Sequence, residues 1–449
     1  MADQTDGFDP SRRELLRYGA IAGLAGLAGC SQTDGGDGGD GGDGGDGGDE
    51  SPTGDDTPTD DGGTEGDGDD GDGGDGGSGP YRIGMIDSLT GSLSSFGERN
   101  QRGKDLALAH VNEVGLDGRE LEIQVEDSES ENQGGVTAAQ NLVNQAGVPF
   151  IIGAVGSGVS LAIYESVVQD TDVVQLSQNS TGLGLTEFPG LLRMSPSGRT
   201  QALALSNIIA EDGYDEVALT YVNNNYGQSL ADSFTSNWDG SIAYESPHDQ
   251  EQQSYSSLIS QMANSEADAW VFIAYQAGFT TMVNEIYESG YEAQLYGADS
   301  VRADSVLENT PEGSMNGMKI VTPSAPVEQE NYQQFASAFQ EEYDREPTSW
   351  AAYAYDCVVV AALSILAADE FTGSALNDVV RDVTRPEGEQ VTSFEAAAEI
   401  LQDGGSPSDV DYQGVSGPID FDENGDPSGF LQVLEVQDHS YEGIDFIAG

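Results

Sequence analysis

Lysine is almost missing from this chain of 449 residues: Lys104 and Lys319 stand against thirteen arginines, while 80 acidic residues bring the formal net charge to -65. A polyanion of that kind repels nucleic acid, which excludes DNA and RNA as partners. Histidine is scarce as well. His110, His248 and His439 are scattered over a predicted helix, a loop and the C-terminal stretch, so no local signature supports a catalytic base. Of the two cysteines, Cys30 lies near the N-terminus and Cys357 sits inside "YAYDCVVVAALSIL". The residues after Cys30 therefore hold no disulfide, and Cys357 is expected to be buried among apolar neighbours. Acidic side chains fall on every expected exposed face. Such a surface reads as adaptation to high salt, where self-repulsion is screened, and it says more about habitat than about ligand.

The charge is unevenly spread: -1 over residues 1–30, -17 over 31–79 and -47 over 80–449. The first stretch contains "SRRELLRYGAIAGLAGLAGC", an arginine pair followed by a short apolar run that ends on Cys30. That run is too short to span a bilayer and predicts an export signal of the twin-arginine kind. "LAGC" resembles a lipobox, in which Cys30 would take a lipid. Residues 31–79 are Gly, Asp, Ser, Thr and Pro almost throughout and predict a disordered, self-repelling tether.

From residue 80 onward, strand-like and helix-like runs take turns. Strands are expected at 81–87, 120–127, 148–155, 172–177, 216–222, 241–246, 269–275, 293–298 and 318–323, with amphipathic segments between them. Alternation of this kind predicts an α/β fold of parallel sheets with helices on both faces. The pattern restarts after "LLRMSPSGRT" (191–200), so two lobes are expected. The helices at 331–346 and 350–366 would then return the chain to the first lobe, making a hinge and a cleft suited to a small ligand.

One turn attracts three chemistries. "IIGAVGSGVSLAIYE" (151–165) runs from a buried strand through Gly-Ser-Gly into a helix. A dinucleotide fingerprint beginning at Gly156 fails at Leu161, where the third glycine belongs, and a phosphate loop would need a lysine. A nucleophilic Ser157 would want glycines where Val155 and Val159 stand. What remains is a strand end offering a hydroxyl, free backbone N–H groups and the positive end of a helix, which suits a carboxylate. A helix cap without a ligand would look the same in isolation. The next turn, "LSQNSTGLGL" (176–185), is expected at the same sheet edge, with Asn179 and Thr181 facing the same point. "NST" also matches a glycosylation sequon, but a glycan on Asn179 would block a cleft there. Asp420, Asp422, Asn424 and Gly425 begin like a calcium loop, yet position twelve is Leu431. The Asn-Gly pair predicts a tight hairpin turn instead.

Residues 81–449 resemble the branched-chain amino-acid type of periplasmic substrate-binding protein that serves ABC transporters. The resemblance is carried by "IGMIDSLTGSLSSFGERNQRGKDLALAHVNEVGLDGRELEI", "NNNYGQSLADSF", "YGADSV", "WAAYAYDCVVVAAL" and "GPIDFDENGDPSGF". It implies two doubly wound parallel-sheet lobes joined by a three-crossing hinge, 80–199 with about 324–430 and 200–323 with about 431–449. It implies no catalysis, no cofactor and no metal. It places the ligand carboxylate on Ser157 and Gly158, and the ammonium on the Asn179 carbonyl, Thr181 and Asp299. Tyr226 and Tyr275 would seal the cleft, and Phe96, from the first loop, would border the side-chain pocket. Asp299 is shorter than the glutamate frequent in the family, which moves the ammonium site by about one bond length. The partners implied are an amino acid, the permease with its ATPase, and the membrane through the Cys30 lipid at the outer face of the cell. A ligand-sensing ectodomain for amides, urea-like compounds or aromatic carboxylates is the alternative.

Overall fold

A computed structural model describes residues 79–448. The expected leader, Cys30 and nearly all of the expected tether lie outside the described residues.

The first sheet is built from β1 (Tyr81–Asp87), β2 (Leu121–Asp127), β3 (Phe150–Gly153), β4 (Val174–Ser177) and β5 (Leu191–Arg193), in the order β2-β1-β3-β4-β5, parallel throughout. Between these strands run α1 (Ser94–Val114), α2 (Asn132–Gln140) and α3 (Ser157–Ile163). β3 and β4 are buried along their whole length, as expected for inner parallel strands covered on both faces. At three residues, β5 is too short to show a strand pattern and was not expected.

The chain then crosses to α4 (Gly198–Glu211), which Ser197 caps by accepting from the Arg199 N–H. There follow β6 (Glu216–Val222), α5 (Asn225–Asn237), β7 (Ser241–His248), α6 (Ser256–Asn264), β8 (Ala269–Ile273), α7 (Gln276–Ser289), β9 (Gln294–Gly297), α8 (Asp304–Glu308) and β10 (Lys319–Ser324). A second crossing leads to α9 (Glu330–Tyr343), α10 (Ser349–Ala367) and α11 (Gly373–Val379). These are followed by a small sheet of β11 (Glu389–Val391), β12 (Val410–Gly414) and β13 (Gly417–Pro418), with α12 (Phe394–Gln402) between its first two strands. A third crossing delivers β14 (Phe430–Gln437) and β15 (Ser440–Ala448) to the second sheet, whose order is β15-β14-β10-β9-β8-β6-β7.

The two-lobed α/β architecture with three crossings is the one expected, with one correction to its parallel character. β14 runs antiparallel to β10, and β15 antiparallel to β14. For β15 the cause is local: Asp438 and His439 both hold positive φ (49° and 62°), the backbone of a two-residue hairpin turn, whereas β14 takes its direction from the way the third crossing enters the sheet. The Asn424-Gly425 turn does form, but it joins no pair of strands that bond to each other.

α10 has the length and apolarity of a membrane span, yet it is buried along nearly its whole length, with Cys357 fully enclosed. It lies so close to α1 that a Cβ on Gly103 would stand 2.1 Å from the Ala351 carbonyl oxygen. Only glycine fits there. His110 on α1 meets the Tyr355 hydroxyl of α10 at 2.9 Å and is partly buried.

Candidate functional site

Parallel sheets present their strand ends and the following helix starts on one side, and two such sides face each other here. From the first lobe come the turn after β3, the turn after β4 and the first turn of α1. From the second come the start of α5, the end of the segment after β8 and the turn after β9. Between them lies a small cavity lined from both lobes.

Ser157 is the first residue of α3 and is 3% exposed. Its Oγ accepts from the Gly182 N–H at 3.0 Å. With one of its two lone pairs occupied, the hydroxyl keeps its proton and a second lone pair, so Ser157 can face the cavity as a donor. The close approach requires Gly182, since a Cβ there would lie 2.7 Å from Ser157 Cβ. Val155 and Gly156 continue the wall. Gly158 does not line the cavity: one position further along the helix, its Cα turns towards Asn132 and Asn225.

Asn179 and Thr181 line the same cavity, and Asn179 is only 5% exposed. Asn100 on α1 orients Asn179, donating to its Oδ1 at 2.7 Å and to Asp87 Oδ1 at 3.1 Å. That leaves Asn179 Nδ2 buried without a hydrogen-bond partner among the described residues. Behind this turn, the fully buried Arg193 donates to the Gly182 carbonyl at 2.8 Å, to Thr186 Oγ1 at 2.6 Å and to Asp426 Oδ1 at 2.6 Å. The Asn424-Gly425 turn thus serves to bring Asp426 under the β4 turn.

The opposite wall is acidic. Asp299 opens the turn after β9 and is 3% exposed. Its Oδ1 accepts from Tyr226 at 2.8 Å and from Gln201 Nε2 at 2.8 Å. Burial raises its pKa, and the hydrogen bonds from Gln201 and Tyr226 offset only part of that rise. Burial, and then the Asp299 charge, push the Tyr226 phenol well above its ordinary value, which keeps it a donor. The Tyr226 and Tyr275 rings stack with centroids 5.7 Å apart at 14°, and the Tyr275 hydroxyl accepts from Asn224 at 3.0 Å. Ser300 completes this wall, with its Oγ 2.7 Å from the Tyr226 hydroxyl.

The apolar end consists of Leu93, Phe96 and Trp350. Phe96 sits in the first turn of α1 rather than in the loop before it, edge-on to Trp350 at 5.6 Å and 75°. Trp350 was missed as a site residue in the sequence. The available signal was its place at the start of a helix that returns to the first lobe. The lobes touch around the cavity, with Ser95 Oγ donating to Gln276 Oε1 at 2.5 Å, Gln250 to Ser92, and the Leu183 N–H to Ser229 Oγ at 3.2 Å. Among the described residues no group of histidine, cysteine and carboxylate side chains is arranged to hold a metal.

Two α/β lobes closed on a small cavity, with hydroxyl and amide donors on one side and a buried carboxylate on the other, define a solute-binding protein. A family model for periplasmic binding proteins matches residues 80–438, and the chain belongs to that family. A curated relative, Leu/Ile/Val-binding protein homolog 3 of Brucella melitensis, is 26% identical over 229 residues, 49% of this chain and 61% of that protein. This match therefore spans under two thirds of the relative's length. The chemotactic signal transduction system substrate-binding protein BasB of Halobacterium salinarum is 23% identical over 81% of this chain and 88% of its own. The crystal structure of a leucine binding protein from Thermotoga maritima superposes with a TM-score of 0.72 at 21% identity, covering 82% of this chain and 99% of the other. The fold is thus that of the type I periplasmic binding proteins.

Proposed function

We propose that this protein captures an apolar amino acid of the branched-chain kind outside the cell and delivers it to an ABC permease driven by its ATPase. The observation that carries the proposal is the pair of opposed poles in one closed cavity. A zwitterion needs donors at one end and a carboxylate at the other, and Ser157 and Asp299 supply them from different lobes. Ser157 with the α3 start takes the carboxylate, Thr181 and Asp299 take the ammonium, and Phe96, Trp350 and Leu93 take the side chain. Both poles meet only when the lobes close, so ligand affinity is spent on closure. In this reading the protein performs no catalysis of its own. Cys30 carries a lipid and residues 31–79 tether the lobes above the membrane, while the acidic surface suits a saline exterior. Mass spectrometry of the small molecule that copurifies, followed by calorimetry with leucine, isoleucine and valine, tests the assignment. Absence of saturable heat with all three would refute it.

A sensing role is the second reading, favoured by the similarity to BasB over most of both chains. Deleting the gene and measuring initial leucine uptake separates the two, because a sensor leaves uptake unchanged.

A further inference from the structure

Basic side chains are rare in this protein, and four arginines gather in one place. Arg99 and Arg102 on α1, Arg302 behind the Asp299 turn and Arg345 ahead of α10 line a cavity distinct from the amino-acid site. Four acids share its wall: Glu98 binds Arg102 at 2.5 Å, Asp304 reaches Arg302 at 3.7 Å, and Glu308 and Glu346 line it as well. Arg99 is different, because its Nη1 is buried and has no hydrogen-bond partner among the described residues. Burial, and then the positive charge of Arg302, lower the Arg99 pKa to about 10. A buried donor without an acceptor and a second guanidinium across from it are both unfavourable, and one bound group relieves both.

We propose that this cavity binds a small oxyanion between Arg99 and Arg302, and that the anion holds the lobes together. The planar fork of a guanidinium matches two oxygens of a carboxylate, sulfate or phosphate, and a spherical halide matches it less well. Arg99 belongs to the first lobe and Arg302 to the second, so the site is complete only in the closed form and its occupant favours closure.

The test uses the full chain without amino acid, so failure of the amino-acid assignment leaves its result standing. Sulfate replaces chloride at constant ionic strength while small-angle scattering and thermal melting are followed, and an acetate series run alongside separates a carboxylate occupant from an inorganic one. In the wild type, one of the two oxyanions lowers the radius of gyration and raises the melting midpoint by about 2–4 °C along a saturable curve. Arg99→Gln and Arg302→Gln, on different lobes, each reduce that curve to a linear salt response, while Arg102→Gln keeps it. A wild-type response to both anions without saturation overturns the proposal. So does a saturable curve that persists in whichever of the two variants folds.

Discussion

The Tyr226 hydroxyl lies 2.8 Å from Oδ1 of Asp299, and Gln201 donates to the same oxygen at the same distance. Both donors are neutral, so the carboxylate is fixed in position while its charge remains uncompensated, and burial raises its pKa. An ammonium group binds the ionised form. Acidification through the raised pKa therefore protonates Asp299 and competes with ligand, and the dissociation constant for leucine should climb towards 10-fold per pH unit below it. Asp299→Asn should lose at least about 100-fold in affinity at neutral pH, because an ion pair in a desolvated site loses one partner. Calorimetry across neutral to mildly acidic pH checks both. An Asp299→Asn variant with the wild-type pH dependence would remove this carboxylate from the site.

Ser157→Ala removes the one hydroxyl that both accepts from Gly182 and keeps its proton for the cavity. The expected loss is about 10- to 100-fold in leucine affinity, together with about 1–3 kcal/mol of stability from the orphaned Gly182 N–H. Melting and titration on the same samples separate the two. Lost stability with unchanged affinity would make Ser157 a scaffold residue only.

The apolar end sets selectivity. Phe96 and Trp350 meet edge-on and close the cavity, so shortening Trp350→Leu lengthens the space available to a side chain. Phenylalanine should gain on valine by about 1–3 kcal/mol, read as the ratio of their dissociation constants. An unchanged ratio would place the selectivity at Leu93 or Tyr275.

What the sequence disclosed follows from range. β1, β6 and the helices between strands were legible because periodicity is local, and "GAVGSGVS" was legible because a strand, a Gly-Ser-Gly turn and a helix start are neighbours in sequence. Ser157, Asn179, Thr181, Tyr226, Tyr275, Asp299 and Phe96 fall on one cavity, and it was the family resemblance that linked residues so far apart. Trp350 and Asn100 escaped because their contribution is a distance across lobes or helices, which no spacing encodes. The β14–β15 hairpin escaped for another reason. Its turn residues, Asp438 and His439, hold positive φ without the Asn-Gly signature that Asn424-Gly425 displays elsewhere to no such end.

Arg193 and Asp426 are 233 positions apart and meet at 2.6 Å with the guanidinium fully buried. Replacing one partner leaves a buried charge unpaired, so Asp426→Leu should cost about 3–5 kcal/mol. Arg193→Met in the same chain removes that charge, and the double variant should recover a large part of the loss, which a double-mutant cycle by chemical denaturation reads directly. The same cycle read by calorimetry reports on the site. Arg193 holds the Gly182 carbonyl, and the Gly182 N–H holds Ser157 Oγ. Recovered stability therefore should not bring recovered affinity. If affinity returned with stability, the β4 turn would keep its shape without Arg193, and Ser157 would owe its orientation to α3 alone.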